Sequence, residues 1–407
     1  MDLTQKRWQL LVVSCVINLF AGSIYAWSVF GSALATKLSH ELGTTVTGTD
    51  LALAFGIANG LGPIPMIFGG AVNDRFGPRL IIMGGAVLMG LGLFLAGTAS
   101  TPMGVICSYG VCFGLGLGLV YGCTISNTMK FFPDRRGLVG GLTTAAYGIS
   151  SVLLPPVAAF LIAEIGISAS LKTFGILFGF VIFVGGFLSM RCPPGFQPEG
   201  WKRPVRHTTI ASDRNWRQML TSKEFPPMII LLMCGAVAAM MVIAHAFTIA
   251  REQMVLTVAQ ASAAVSIIAL ANTFGRVIAG CVSDRFGRLQ TLSLGILTSL
   301  LGLALLSVAG TETQGFFYLG FISLGLSFGS FMGVFPGFTA EVFGSRNNSV
   351  NFGIMFMGFS AAGIIGPTLM GTMKAAGFDF PLCYLAAGAI SAMGFPCILR
   401  LRALYSR

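Results

Sequence analysis

The chain has 407 residues, of which 55% are hydrophobic and 10% are charged, and its mean hydropathy is +0.83. A soluble domain contains roughly 25% charged residues, so this composition excludes a soluble globular protein and predicts a chain that crosses a membrane many times. The net charge of +11 would suit a nucleic-acid-binding protein, but the basic residues lie between apolar segments and therefore report membrane topology. We expect no nucleic-acid partner.

Apolar stretches of the ~17–25 residues needed to cross a bilayer recur along the whole chain. The first is long and lacks a small-residue cleavage site, so we interpret it as a transmembrane helix and not as a signal peptide. The predicted spans are 8–35, 50–72, 79–98, 102–129, 138–163, 170–190, 225–250, 257–282, 289–309, 315–342, 348–375 and 380–401. We therefore predict an all-α membrane protein with twelve transmembrane helices.

One long polar segment, 191–224, separates the sixth and seventh spans and is rich in Pro, Arg and Lys. It divides the chain into two six-helix halves, 1–190 and 225–407, and we predict that it is a cytoplasmic linker. With the N-terminus inside, twenty of the 25 Lys and Arg residues lie on the inner side, four lie on the outer side, and Arg276 lies within a span. Because basic residues concentrate in cytoplasmic loops, we predict a multi-pass protein of the cell inner membrane with both termini cytoplasmic.

The two halves contain repeated sequences. D-R-F-G occurs at 74–77 after the second span and again at 284–287 after the eighth, at an offset of 210 residues. The segment 118–122 in the fourth span matches 329–333 in the tenth at an offset of 211. Two similar halves predict pseudo-symmetry and a substrate site near the middle of the membrane between them, opened to each side in turn.

The sequence G-x-x-x-D-R-F-G-x-R at 70–79, with a shorter echo at 280–288, resembles the loop signature of the major facilitator superfamily. The resemblance extends over essentially the whole chain and implies the major facilitator fold. It also implies charge contacts between helices that stabilise one access state and break during the conformational switch, made by Asp74, Arg75, Asp284 and Arg285. The alternative is that these residues only orient the chain as positive loops.

Three further segments resemble the oxalate/formate antiporter branch and its relatives, the monocarboxylate transporters. They are Y-A-W at 25–27, V-Y-G-x-x-x-S-N-T-x-K-F-F-P-D-R-R-G at 120–137, and N-x-x-x-R-x-x-x-G-x-x-S-D-R at 272–285. This resemblance implies a carrier of small carboxylates.

Arg276 lies about two turns inside the polar end of the eighth span. A charge at this depth costs at least ~2.5–3.5 kcal/mol on insertion scales, and every acidic residue falls in a loop or at the end of a span. A guanidinium has planar donors that match a carboxylate. We therefore predict that an anionic substrate pairs with Arg276, assisted by Asn272 one turn earlier on the same helix face. The alternative is an arginine whose side chain extends to the inner surface.

The resemblance also indicates how many charges the site accepts. Arg276 falls where these carriers place their carboxylate-binding arginine, whereas the lysine that supplies a second cation in the oxalate exchanger is matched here by Phe359. One cation beside an aromatic surface suits lactate, pyruvate, acetate, propionate or formate, because an unpaired second carboxylate would be costly to bury.

Aromatic residues match the cavity positions of the family in part, and we predict that they line the site. Tyr121 is the strongest candidate, because its hydroxyl can donate to a carboxylate while its ring packs against the tail. The predicted substrate-binding set is Arg276, Asn272, Tyr121, His245, Phe328, Met332, Phe356 and Phe359, with Tyr25 and Tyr147 as further aromatic positions. For each aromatic residue alone, helix packing or contact with lipid is the alternative.

His245 in the seventh span is the only histidine outside the predicted loops. Histidine is the residue type that changes charge between about pH 5 and 8, and no Asp or Glu is predicted in the middle of the membrane. We therefore predict that His245 meets the substrate and carries a coupled proton. A packing role is the alternative for the residue.

The predicted function is secondary transport of a small monocarboxylate by proton-coupled symport, and an oxalate/formate-type anion exchanger is the alternative. The nine cysteines include no C-x-x-C pair, and the chain has no nucleophile–base pair, metal-spaced His/Glu set or phosphate loop. We therefore expect no enzyme activity, no metal and no cofactor. A carboxylate sensor would need an output domain, for which 191–224 is too short. We expect a monomer whose partners are the anion, the proton and the bilayer.

Overall fold

The structure of the protein, a computed structural model, describes residues 3–201 and 213–405, and this part of the chain is helical without strands. The helices are α1 (Leu3–Ala21), α2 (Trp27–Leu42), α3 (Gly48–Gly60), α4 (Pro63–Phe76), α5 (Arg79–Thr98), α6 (Pro102–Val105), α7 (Gly114–Lys130), α8 (Arg136–Leu188), α9 (Trp216–Leu220), α10 (Phe225–Glu252), α11 (Val258–Phe286), α12 (Arg288–Ser307), α13 (Gln314–Phe343), α14 (Asn348–Ala375), α15 (Phe380–Ala392) and α16 (Gly394–Tyr405). The middle of the predicted linker, with Lys202, Arg203 and Arg206, lies outside the described residues, as does Arg407.

Eleven segments of the described chain are long and apolar enough to cross a membrane. Ten of them each correspond to one predicted span, and the remaining segment, α8, corresponds to both the fifth and the sixth. A continuous helix of 53 residues would be about 80 Å long, more than twice the ~30 Å apolar core of a bilayer. Gly166 interrupts α8 with a φ of 76°, a conformation that glycine adopts readily. The predicted all-α fold is confirmed, and its fifth and sixth helices are joined at Gly166.

Two of the membrane-crossing segments depart from regular α-helix. A 3-10 turn, Gly22–Ala26, separates α1 from α2, and a π-helical stretch, Ile106–Phe113, joins α6 to α7. Tyr109 of the π-helical stretch packs its ring 4.5 Å from the ring of Trp27, and its hydroxyl lies 3.5 Å from the carbonyl oxygen of Ile24. The two irregular stretches therefore support each other and fix the turn that carries Tyr25.

The described chain packs as two compact units. The first comprises residues 3–133, 146–201 and 346–353, and the second comprises 134–145, 213–345 and 354–405. Each has its own apolar core, built around residues such as Phe30, Phe113 and Phe174 in the first unit and Phe317, Phe321 and Tyr384 in the second. The first turns of α8 therefore belong to the second unit, and the chain enters the first unit at residue 146.

Candidate functional site

Arg276 lies inside the second unit with only 2% of its surface exposed. It is on α11, which begins with a capping box in which the Thr257 hydroxyl accepts the backbone N–H of Gln260. The Nε of Arg276 donates to Oδ1 of Asn272 at 3.1 Å, and one terminal nitrogen donates to the backbone carbonyl oxygen of Thr144 at 2.6 Å. The spacing of four residues places Asn272 and Arg276 on one helix face, so α11 itself orients the guanidinium.

Glycines of two other helices pack closely on the backbone of α11 at Arg276. Gly329 and Gly333 of α13 lie against the backbone of α11 at Asn272 and Arg276, and Gly141 of α8 lies against the carbonyl group of Arg276. A Cβ atom at any of the three positions would overlap backbone atoms of α11. Small residues permit such approach between membrane helices, and here they bring α8 and α13 onto the backbone of α11.

The charge of Arg276 is paired with no carboxylate among the residues that the structure describes. Both of its hydrogen-bond acceptors are neutral oxygens, one from an amide side chain and one from the main chain. An uncompensated buried charge is costly in a membrane protein. The site therefore holds a fixed cation with only dipolar partners.

Three predicted aromatic residues come together in the second unit, which also contains Arg276. The ring of Phe359 lies 4.5 Å from that of Phe356 and 6.0 Å from that of Phe328. Phe328 and Met332, both buried, directly precede the two α13 glycines that pack on α11. On α13, the aromatic and apolar positions therefore alternate with the glycines that pack on the backbone of Asn272 and Arg276.

Tyr121 lies in the first unit, with Tyr25 and Tyr147. The ring of Tyr147 lies 4.6 Å from Tyr121 and 5.3 Å from Tyr25. Ser150, one turn beyond Tyr147, donates to the carbonyl oxygen of Gly22 at 2.9 Å and so ties α8 to the turn that carries Tyr25. The predicted tyrosines thus form one cluster.

His245 of α10 is half-buried in the second unit, and its Nε2 lies 3.2 Å from the carbonyl oxygen of Pro367 in α14. A carbonyl oxygen only accepts, so Nε2 carries the hydrogen in this contact. In this tautomer the lone pair of the ring is on Nδ1.

The two signature aspartates bind helix N-termini. Asp284 accepts the backbone N–H groups of Gly137 and Leu138, each at 2.8 Å, and forms an ion pair with Arg288 at 2.8 Å. Asp74 accepts from Lys130 at 2.6 Å and from Ser349, at the start of α14, at 2.7 Å. A carboxylate is stabilised at the N-terminus of a helix.

The arginines next to these aspartates in the sequence do not pair with them. Arg75 and Arg285 lie over the rings of Phe76 and Phe286, at 5.1 and 5.6 Å. The cationic partners of the aspartates are Lys130 and Arg288, which the sequence did not single out. Asp284 lies near the end of α11 and Arg288 begins α12, so this ion pair spans the turn at Gly287 and is not a pair on one helix face.

The sequence also did not predict the role of Thr144. It offers Arg276 a main-chain carbonyl, and a main-chain acceptor has no side-chain signature. The glycines at 137 and 141 were the available signal, because small residues in a membrane helix mark close contacts.

Comparison with known proteins places this geometry in context. A model of the Major Facilitator Superfamily matches residues 16–257 and 243–405. The chain is 28% identical to the uncharacterized MFS-type transporter YhjX of Escherichia coli strain K12 over 88% of this chain and 86% of that protein. It is 25% identical to the oxalate:formate antiporter of Oxalobacter formigenes over 96% and 90% of the two chains. It is 24% identical to human monocarboxylate transporter 11 over 84% and 72%.

Among solved structures, the fold is similar to that of the transporter FucP in the outward conformation. The TM-score is 0.71 at 14% sequence identity, and the match covers 96% of this chain and 98% of the other. At this identity the likeness concerns the fold.

Proposed function

Because the chain belongs to the major facilitator superfamily, we propose that it is a secondary active transporter of a small monocarboxylate, such as lactate or pyruvate, working by proton symport and alternating access. The observation that carries the proposal is the environment of Arg276, a permanent cation with 2% exposure and two neutral acceptors. An anion is the ligand that completes such a site, since a guanidinium binds a carboxylate through two parallel hydrogen bonds.

The substrate class follows from the single charge and its surroundings. Phe359 stands where the related oxalate exchangers have a second cation, and its ring packs with those of Phe356 and Phe328. A dicarboxylate would leave one carboxylate against these rings without a partner, which is costly. A short apolar tail fits there instead, and Asn272 orients the arginine toward the carboxylate.

We assign the coupled proton to His245, whose Nδ1 has the lone pair when Nε2 donates to Pro367. We further propose that the hydroxyl of Tyr121, whose ring packs on that of Tyr147, donates to the substrate. Asp74 and Asp284 stabilise one access state through the helix N-termini that they bind, and Arg75 and Arg285 complete the signature loops. The carrier works as a monomer in the cell inner membrane with both termini cytoplasmic.

Anion exchange of the oxalate/formate type is the second candidate. It is favoured by the 25% identity to the oxalate:formate antiporter, which covers 96% of this chain. The absence of a cation at position 359 distinguishes the two candidates, because oxalate needs two positive partners.

The deciding experiment is uptake of labelled L-lactate into proteoliposomes, with and without an inward proton gradient. We expect the gradient to drive uptake, and we expect Arg276→Lys to lower it about tenfold or more because the charge remains but the two-pronged hydrogen bonding is lost. Arg217→Lys, at an exposed arginine of α9, is the matched control and should transport normally. Normal transport by Arg276→Ala would remove Arg276 from the site. Uptake that ignores the gradient but is accelerated by internal oxalate or formate would favour exchange.

A further inference from the structure

The first turns of α8, residues 136–145, lie directly on the helix that carries Arg276. Gly137 packs against the backbone of Gly280, and Gly141 packs against the carbonyl group of Arg276. At the lower end, Asp284 holds the N–H groups of Gly137 and Leu138. These contacts lie within the second unit, and the chain leaves that unit immediately after residue 145.

The upper end of this segment is held by Arg276 itself, through the carbonyl oxygen of Thr144 at 2.6 Å. Thr144 and its neighbours Val139, Thr143 and Ala145 are almost entirely buried, with 0–6% of their surfaces exposed. Among the described residues, the carbonyl of Thr144 is the one acceptor of Arg276 that comes from outside α11.

A carboxylate reaches Arg276 only if one of its covers moves. The backbone of α13 packs on α11 through Gly325, Gly329 and Gly333, over more than two turns, and is part of the fixed interior. Asn272 is on the same helix as the arginine and moves with it. The segment 136–145 is bound to the guanidinium by one hydrogen bond, from Arg276 to the Thr144 carbonyl, and is the cover that an anion could replace.

We propose that residues 136–145 form a plug over Arg276, and that the substrate carboxylate and the Thr144 carbonyl compete for the same guanidinium. The inference rests on the proposed function for the identity of the anion. Competition makes the coupling reciprocal: the anion releases the plug, and any change that releases the plug strengthens binding of the anion.

Hydrogen–deuterium exchange of the amides at 137–145 tests both the existence of the plug and its competition with the anion for Arg276. In the protein without ligand, Arg276→Gln should accelerate exchange of these amides severalfold, because the upper anchor is lost. In the wild type, L-lactate should accelerate exchange at the same amides, whereas an anion that merely bound beside the plug would slow it. Unchanged exchange in Arg276→Gln overturns the plug whatever the substrate is. Slower or unchanged exchange in wild-type protein that lactate stabilises thermally overturns the competition.

A gain of affinity distinguishes competition from loss of structure. Gly141→Ala places a Cβ against the carbonyl group of Arg276 and should hold the plug off, so that the dissociation constant of lactate falls by about fivefold or more, a modest coupling. Gly333→Ala meets the same carbonyl group from α13 and should weaken binding, since it disturbs the fixed side of the site. Gly84→Ala, with nothing within 4 Å of the new Cβ, should change neither property. Weaker binding in Gly141→Ala overturns the proposal.

A wrong substrate class would give a different result from a wrong plug. If L-lactate neither stabilises nor is transported by the wild type, the substrate class is wrong. The exchange response to Arg276→Gln, which needs no ligand, then still decides whether the plug exists.

Discussion

The carboxylate of Asp284 accepts the backbone N–H of Gly137 at 2.8 Å, and its second oxygen accepts that of Leu138 at the same distance. The first N–H groups of a helix have no partner within the helix, so Asp284 completes the start of α8 and also stabilises the positive end of its dipole. Asp74 has the equivalent position at the start of α14, where it accepts from Ser349 and from the N–H of Val350. The repeated D-R-F-G sequence therefore has one structural role in both halves.

We predict that Asp284→Asn loosens the start of α8. The side chain keeps its size but loses its charge and its ion pair with Arg288. We expect the free energy of unfolding to fall by about 1 kcal/mol, a usual contribution of a charge at a helix N-terminus. Amide exchange at Gly137 and Leu138 should be several times faster. The matched control is Asp50→Asn, where the carboxylate caps α3 through the N–H of Thr47. Unchanged exchange at 137 and 138 would contradict the prediction.

The fold was predictable because a membrane imposes one rule on the backbone. In a bilayer, the N–H and C=O groups of the backbone must form hydrogen bonds within the helix, so each apolar stretch is a helix. The break at Gly166 lies in the interval 164–169 between the fifth and sixth predicted spans, so hydropathy located it to within a few residues. The pair of Asn272 and Arg276 was predictable from a spacing of four, whereas the Thr144 carbonyl was not, because every residue has one. Arg75 and Arg285 were predicted to make charge contacts between helices, but the cations that bind Asp74 and Asp284 are Lys130 and Arg288.

A second prediction concerns Gln253, which follows α10 and joins three helices of the second unit. Its amide nitrogen donates to the carbonyl oxygens of Leu306 and Ala309 at 2.7 and 3.1 Å, and its oxygen accepts the hydroxyl of Tyr384 at 2.7 Å. Tyr384→Phe removes one hydrogen bond and leaves the amide oxygen without it, so we expect a loss of about 1–2 kcal/mol in stability. The measurement is thermal unfolding of the purified protein in detergent.

The hydroxyl of Tyr318 provides the control for this change. It makes no hydrogen bond with the described residues, so Tyr318→Phe should leave the unfolding temperature unchanged. Equal effects of the two substitutions would show that the bond between Tyr384 and Gln253 contributes nothing measurable.

A third prediction separates proton coupling from packing at His245. Glutamine at this position can still donate a hydrogen bond to the carbonyl of Pro367 but cannot take up a proton. We expect His245→Gln to lose uptake driven by the proton gradient while lactate–lactate exchange across the membrane continues, since exchange needs no net proton movement. His40→Gln, at an exposed position of α2, should keep both activities. Gradient-driven uptake that survives in His245→Gln would remove the histidine from the coupling mechanism.

The last prediction concerns substrate charge and position 359. Phe359→Lys places a second cation beside the ring of Phe356 and in the neighbourhood of Phe328. A dicarboxylate then finds a partner for each end, whereas the apolar tail of lactate meets a charge. We expect inhibition of labelled lactate uptake by oxalate to appear in this variant and uptake of lactate itself to fall. Phe359→Gln, which is polar but neutral, should lower lactate uptake without any gain for oxalate, because only a charge offsets the cost of burying the second carboxylate. Inhibition by oxalate that is equally strong in the wild type would show that the site already accepts two charges, and the exchange mechanism would then be favoured.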